Sequence, residues 1–239
     1  MPQTVLIFGA SSAIAKEAAR GYAAQGYDLI LAARQPHALE NLARDVRARY
    51  DVNVTTELVD AAELSSVTAL ASRVASPHLT GVMSAVGWMP ATTGPDAIAL
   101  SALLNFAAPA TLIEALAPTL IGRDGAFITV ITSVAGDRGR GSNYVYGSAK
   151  GGLQRYLEGL RHRLHGHGIQ VTDVRPGFVD TPMTRGMKLP FKASALSVGD
   201  TVAKAHLDPK NTVYTPGFWR LIMLVIRALP ETVVLRSNL

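Results

Sequence analysis

The sequence predicts an α/β fold built on a doubly wound parallel sheet, and three observations carry that prediction. Short β-branched and apolar runs alternate with longer amphipathic stretches along the chain. The first run, Thr4 to Phe8, is continuously apolar after its threonine, as a central parallel strand covered on both faces requires. Gly9 and a series of small residues follow at once and open an Ala-rich helix. That strand, turn and helix read either as a plain β-turn-α or as a dinucleotide-phosphate site, where small residues permit close approach and helix N-terminal amides face the pyrophosphate.

Length and composition narrow the field. The chain has 239 residues, 48% of them hydrophobic and 17% charged, with a mean hydropathy of +0.20, as expected for one core-rich domain over residues 1–239. Cysteine is absent, which excludes disulfides, thiolate metal sites and cysteine nucleophiles and fits a cytoplasmic location. The opening residues lack the basic region of a signal peptide, and no segment supplies the ~18 uninterrupted apolar residues of a spanning helix. A net charge of +5 and a pI of about 9.6 would permit contact with nucleic acid or anionic lipid. The basic residues are scattered singly, however, and aromatics are only 6%, so no nucleic-acid partner is expected.

Taken in order, the first helix runs to about Gln25, and Gly26 ends it. Residues 28–32 form the second strand, and Arg34 stands just beyond it, where an acidic residue would grip the ribose hydroxyls of NAD. An arginine there can pair with a 2′-phosphate instead, which favours NADP(H) over NAD(H); its other reading is a surface or capping arginine. A charged, solvent-facing helix over 38–50 precedes a strand over 52–58, with Asp60 and Ala61 after it. A helix over 64–74 leads to a fourth strand whose exit runs through Ser84, Ala85, Val86 and Gly87. Asn105 falls inside an apolar helix over 103–120. An asparagine is locally unfavourable there, so it is either functional or a satisfied buried amide.

The chemistry concentrates between Val130 and Lys150. A β-branched strand over 127–132 ends at Ser133, and a Gly- and Arg-rich loop enters a long helix at about Tyr144. Tyr146 and Lys150 are four residues apart and share one helix face. A strand-end hydroxyl, a phenol and an ammonium can therefore converge on a carbonyl or carbinol oxygen. Ser133 would hold that oxygen, Tyr146 would move the proton, and Lys150 would lower the phenol's pKa.

Ser133 followed by Tyr146-x-x-x-Lys150 resembles the signature of the short-chain dehydrogenases/reductases, and the resemblance extends over about residues 4–182. It implies a Rossmann-like sheet of about seven strands in the order 3-2-1-4-5-6-7, with NADP(H) across the strands' carboxyl ends. It implies hydride transfer between nicotinamide and a ketone or secondary alcohol, with Asn105, Ser133, Tyr146 and Lys150 as the catalytic residues and Asn105 bending its helix to anchor a proton-relaying water. Cofactor contacts are implied for Gly9, Ser11, Ser12 and Ile14 at the phosphate turn, and for Asp60 and Ala61 at the adenine. Ala85 and Gly87 belong to the fourth-strand exit, and Tyr146 and Lys150 serve the cofactor as well as the chemistry. The segment Pro176, Gly177, Val179 and Thr181 resembles the family's closure over the nicotinamide. Homodimers or homotetramers are common among such enzymes. The sequence departs from the family where Ala13 and Ala15 replace glycines, where Ser84-Ala85-Val86-Gly87 stands for Asn-Asn-Ala-Gly, and where Phe8 precedes Gly9. Those departures leave open a cofactor-sensing or scaffold protein without turnover.

Three later stretches complete the reading. His162, His165 and His167 cluster near a helix end, either as a metal site or, more plainly, as imidazoles beside the helix C-terminus; no metal is expected. A strand over 169–174 leads to residues 182–198, which lack a clear period and read as a mobile substrate lid or a packed surface loop. A short helix over 198–206 and a strand over 213–215 follow. Residues 217–230 form an apolar helix with Arg220 and Arg227 on one face. It suits a subunit interface or the plane of a membrane, which would place the protein peripherally at a membrane's inner face. It weakly resembles the tails of bacterial family members that act on lipid-linked sugars, which implies an apolar or lipid-linked ketone.

Overall fold

The computed structural model describes residues 3–208 and 210–236. Its strands are β1 (Thr4–Phe8), β2 (Asp28–Ala33), β3 (Val54–Leu58), β4 (Leu79–Ser84), β5 (Phe127–Ile131), β6 (Gln170–Pro176), β7 (Val179–Asp180), β8 (Ala193–Ser194) and β9 (Thr212–Thr215). The helices are α1 (Ala13–Ala24), α2 (Pro36–Arg49), α3 (Leu64–Val74), α4 (Pro95–Ala102), α5 (Ala108–Leu120), α6 (Tyr144–Leu164), α7 (Ala195–Lys204), α8 (Trp219–Ala228) and α9 (Glu231–Leu235). Seven strands form one parallel sheet in the order β3-β2-β1-β4-β5-β6-β9. This is the expected doubly wound order, with β9 as the seventh strand of the large sheet.

Successive side chains of a strand point to opposite faces, so a strand covered on both sides must be apolar throughout. In β1, Val5 and Ile7 join Leu29 and Leu31 against α1, α2 and α7, whereas Leu6 and Phe8 join Val82 and Ile128 against α3, α5 and α6. Each such side chain, fully buried, contributes about 1.5–3 kcal/mol. Phe8 and Ser84 are register partners on β1 and β4, and both are buried. Phe8 packs into the core while the Ser84 hydroxyl finds no partner, so apolar packing dominates where the sequence departs from the family.

Between α4 and α5 the helix continues through a π turn, Leu103–Ala107, centred on Asn105. The whole run Pro95–Leu120 is long and apolar enough to cross a bilayer, contrary to expectation for any segment of this chain. Its inner face is nevertheless core: Ala108, Leu112, Ile113, Leu116 and Leu120 are buried between the sheet and its neighbours.

The expected lid is shorter at its far end. Residues 195–198 belong to α7, because the Ser194 hydroxyl accepts from the Ser197 N–H (3.1 Å) and starts a helix there. Residues 182–184 form one 3-10 turn, and the β7–β8 pair pins the segment at both ends. The apolar C-terminal helix is trimmed to Trp219–Ala228. A third small cluster lies beneath it, formed by Val134, Trp219, Met223 and Ile226 with Phe178 and Tyr214 against them.

Candidate active site

The carboxyl ends of β1, β4, β5 and β6 open into a cavity of about 310 Å³. Ser11, Ser12, Ile14, Ala85, Gly87, Ser133, Tyr146, Lys150, Pro176, Gly177, Val179 and Thr181 all line it. A second cavity of about 240 Å³ shares Ser11, Ser12, Ala85 and Gly87 with the first and continues to Gly9, Arg34, Asp60 and Ala61. Every cofactor contact expected from the sequence thus lines one of two adjoining spaces.

At the phosphate turn, Gly9 has φ +86, and a Cβ there would lie 2.9 Å from the Val86 nitrogen. Only glycine fits, which explains why this glycine persists while Ala13 and Ala15 replace the others. Ser12 caps α1, its hydroxyl accepting from the Ala15 N–H (3.1 Å). Ala13, the first residue of α1, presents its methyl to the larger cavity. Across the smaller cavity Arg34 is exposed. Asp60 meanwhile accepts from the Ala62 N–H (2.9 Å), which fixes its turn.

Ser133 and Tyr146 meet because α6 lets the chain after β5 come close. A Cβ on Gly147 would lie 2.6 Å from the Ala135 carbonyl oxygen, and one on Gly151 would lie 2.9 Å from that of Gly136. The 3-10 turn Val134–Gly136 can therefore pack directly on the α6 backbone. The end of β5 is then gripped three times in succession. Lys150 Nζ donates to the Ile131 carbonyl (3.1 Å), Thr132 Oγ1 donates to Asp173 Oδ1 (2.5 Å), and Gln154 Nε2 donates to the Ser133 carbonyl (2.8 Å).

The Ser133 side chain draws the Tyr146 phenol's pKa down, but burial outweighs that pull and pushes the phenol up to about 12. The expected depression by Lys150 is not present. The ammonium donates instead to the carbonyls of Val86 and Ile131, both at 3.1 Å, and burial brings Lys150 itself down to about 8, against the attraction of Asp173. Desolvation acts on both groups and favours each one's neutral form.

Asn105 is a satisfied amide. Its Nδ2 donates to the Trp88 carbonyl (2.7 Å) and to Ser101 Oγ (3.1 Å), while its Oδ1 accepts from the Trp88 N–H (3.0 Å). It also faces the site: a Cβ built on Gly87 would sit 3.4 Å from both Asn105 Oδ1 and Lys150 Nζ. The π turn and the lysine therefore address one small space beside Gly87. A further cavity of about 470 Å³ reaches Tyr146 from another side, walled by Thr92, Thr93, Ser142 and Asn143 among others.

One buried network lay outside the sequence reading. Arg175, immediately before Pro176, pairs with Asp173 Oδ2 and Asp137 Oδ1, both at 2.7 Å, and Tyr214 donates to Asp137 Oδ2 (2.7 Å). These residues join the loop after Ser133, the end of β6 and β9 into one charged knot. Asp173 and Arg175 are two apart on a strand, a spacing that signals a shared face, but Asp137 comes from a loop that no periodicity places. His165 and His167 lie in a 3-10 turn after α6, and among the described residues no group of three or more His, Cys, Asp or Glu could hold a metal.

A doubly wound sheet with a glycine turn after its first strand, and a Ser–Tyr–Lys cluster at its carboxyl edge, defines a nucleotide-dependent oxidoreductase. The family model described as short chain dehydrogenase matches residues 3–189, and the chain belongs to that family. It is 34% identical over 236 residues to an uncharacterized oxidoreductase of Mycobacterium tuberculosis, covering 96% of this chain and 94% of that one. It superposes with a TM-score of 0.84 on a short-chain dehydrogenase from Sphingobium yanoikuyae in complex with NADPH, at 24% identity and 97% coverage of each chain. A bulky-bulky ketone specific alcohol dehydrogenase from Comamonas testosteroni gives a TM-score of 0.81 at 22% identity, covering 97% of this chain and 96% of that one.

Proposed function

We propose that this chain is an NADP(H)-dependent reductase that interconverts a ketone and a secondary alcohol, with an apolar or lipid-linked substrate. The observation that carries the reading is the convergence of Ser133, Tyr146 and Lys150 in one cavity that adjoins, through the phosphate turn, the cavity holding Arg34. The residues fit a dinucleotide: Gly9 gives the close approach, and the capped N-terminus of α1 lines the space. The NADPH complex of the Sphingobium protein and the ketone preference of the Comamonas enzyme agree with this reading.

When bound, the nicotinamide supplies or accepts the hydride. In the reducing direction Ser133 donates a hydrogen bond to the carbonyl oxygen, and Tyr146 delivers the proton to it. A phenol pushed up to about 12 remains protonated throughout the neutral range, so the proton to be delivered is in place. Lys150 would hold the cofactor ribose and would resupply the proton to Tyr146, with Asn105 fixed next to it beside Gly87. The polar walls near Thr92 and Asn143 suit the polar part of such a ketone, and Met183 in the main cavity suits its apolar part.

Cofactor choice tests the reading. NADPH should bind at least tenfold more tightly than NADH, and Arg34→Asp should reverse the order by setting a carboxylate against the 2′-phosphate. Equal affinities of the parent for the two, by fluorescence titration, would remove Arg34 from the site.

The pH profile is a second test. Lys150 is down at about 8, so its charge is present below that pH and lost as pH rises through it. Reduction at limiting NADPH should therefore decline above pH 8. Asp173→Asn removes the attraction that holds the ammonium's proton, so the declining limb should move to lower pH. A limb that stays in place would show that Asp173 does not act on Lys150.

A further inference from the structure

Helix α8 is apolar on two opposite faces, and the fold uses only one of them. Trp219, Met223 and Ile226, at helical spacing, are buried against Val134, Phe178 and Tyr214. On the outward face Leu221, Leu224 and Val225 are 67%, 64% and 61% exposed. Phe218 begins this face, and its ring stands 5.8 Å from that of Phe191, itself 70% exposed at the tip of the loop over residues 182–194. Loop and helix thus set exposed apolar side chains beside one another, where a soluble chain normally scatters them singly.

Charge indicates what this surface meets. Residues 182–194 and 216–229 contain Arg185, Lys188, Lys192, Arg220 and Arg227 and no acidic residue. All five cations are exposed, and among the described residues none of them makes an ion pair. A two-fold contact with a second copy would set this unbalanced positive set against itself. An anionic surface with an apolar interior complements both features at once.

We propose that the outward face of α8, with the loop over residues 182–194, docks on the surface of an anionic lipid bilayer. The helix has ten residues, about 15 Å of length, so it lies in the interfacial plane instead of crossing a hydrocarbon core of ~30 Å. Leu221, Leu224 and Val225 enter the acyl boundary while the five cations meet headgroup phosphates. Because Pro182, Met183 and Thr184 also line the main cavity, the docked face borders its mouth, and an apolar ketone would enter from the bilayer. That last step rests on the reductase reading above; the docking itself does not.

The test uses the full chain and co-sedimentation, which reports docking independently of turnover. The protein should pellet with phosphatidylglycerol–phosphatidylcholine vesicles, release at high salt, and bind pure phosphatidylcholine vesicles at least tenfold more weakly. The triple variant Leu221→Gln, Leu224→Gln, Val225→Thr and the double variant Arg220→Glu, Arg227→Glu should each weaken anionic binding about tenfold or more. Since all five positions face solvent, thermal melts should stay near the parent's and mark any variant that fails to fold. Absence of vesicle binding by the parent would overturn the proposal. So would a dimer in light scattering that the triple variant converts to monomer while vesicle binding is unchanged, since the face would then belong to a second copy.

Discussion

Tyr146→Phe is expected to reduce ketone turnover by about 10³-fold while NADPH affinity stays within a few-fold of the parent's. A positioned general acid contributes typically 10²–10⁴-fold, about 3–5 kcal/mol of transition-state stabilisation. The ring itself remains, so the wall of the cavity is kept, and the lost hydroxyl is the group that Ser133 engages. The loss should appear in kcat and kcat/KM together, the pattern of an interaction made in the transition state. Steady-state kinetics with a titration of cofactor binding checks both halves. Residual turnover within a few-fold of the parent would take the proton from some other group.

Gly177→Ala is expected to damage the site without touching any reacting group. A Cβ there would lie 1.9 Å from Trp219 Nε1 and 2.0 Å from Cε2, so the indole of α8 already occupies that space. Trp219 is also packed edge-on against Phe178, with ring centroids 5.3 Å apart, and cannot yield alone. The C-terminal end of α8 is further tied by Arg138, which donates to the Leu229 carbonyl (3.2 Å). Relief therefore requires α8 or the Pro176–Gly177 segment to shift. The expected cost is about 2–3 kcal/mol, or a Tm lower by about 4–12 °C for a chain of this length. NADPH binding should weaken alongside it. Adding Trp219→Leu to Gly177→Ala should return part of the lost Tm, because the two positions share one space. Independent, additive losses would mean that the indole does not press on Gly177.

That coupling shows what the sequence could and could not reveal. β1, Gly9 and the Tyr146–Lys150 pair were legible because each rests on a local rule: an apolar run, a turn that needs positive φ, and helical spacing. The strand order was legible through family resemblance, since parallel strands pair across long crossovers that no local pattern specifies. What remained hidden is non-local. The Asp137–Arg175–Asp173 knot draws one member from a loop, and the Gln154 bond to Ser133 needs the close approach that Gly147 and Gly151 allow. The phenol's upward shift is not legible in the sequence, because spacing shows which groups are near each other but not how dry they are. The lid ends earlier than its sequence suggests because Ser194 is one of two serines in residues 182–198 that could start a helix, and only the fold selects it.

Transfer of isotope shows whether this chain moves a hydride from NADPH to a ketone. The parent enzyme is supplied with NADPH deuterated at nicotinamide C4, one stereoisomer at a time, and with a panel of ketones from short to long-chain, the products being read by mass spectrometry. Deuterium is expected on the carbinol carbon of at least one product, from one stereoisomer only, with the longer apolar ketones reduced fastest and label transfer by Tyr146→Phe slower by about 10³-fold. NADPH bound tightly by the parent, with no labelled alcohol from any ketone, would contradict the reductase reading and leave the chain a nucleotide-binding protein without this chemistry.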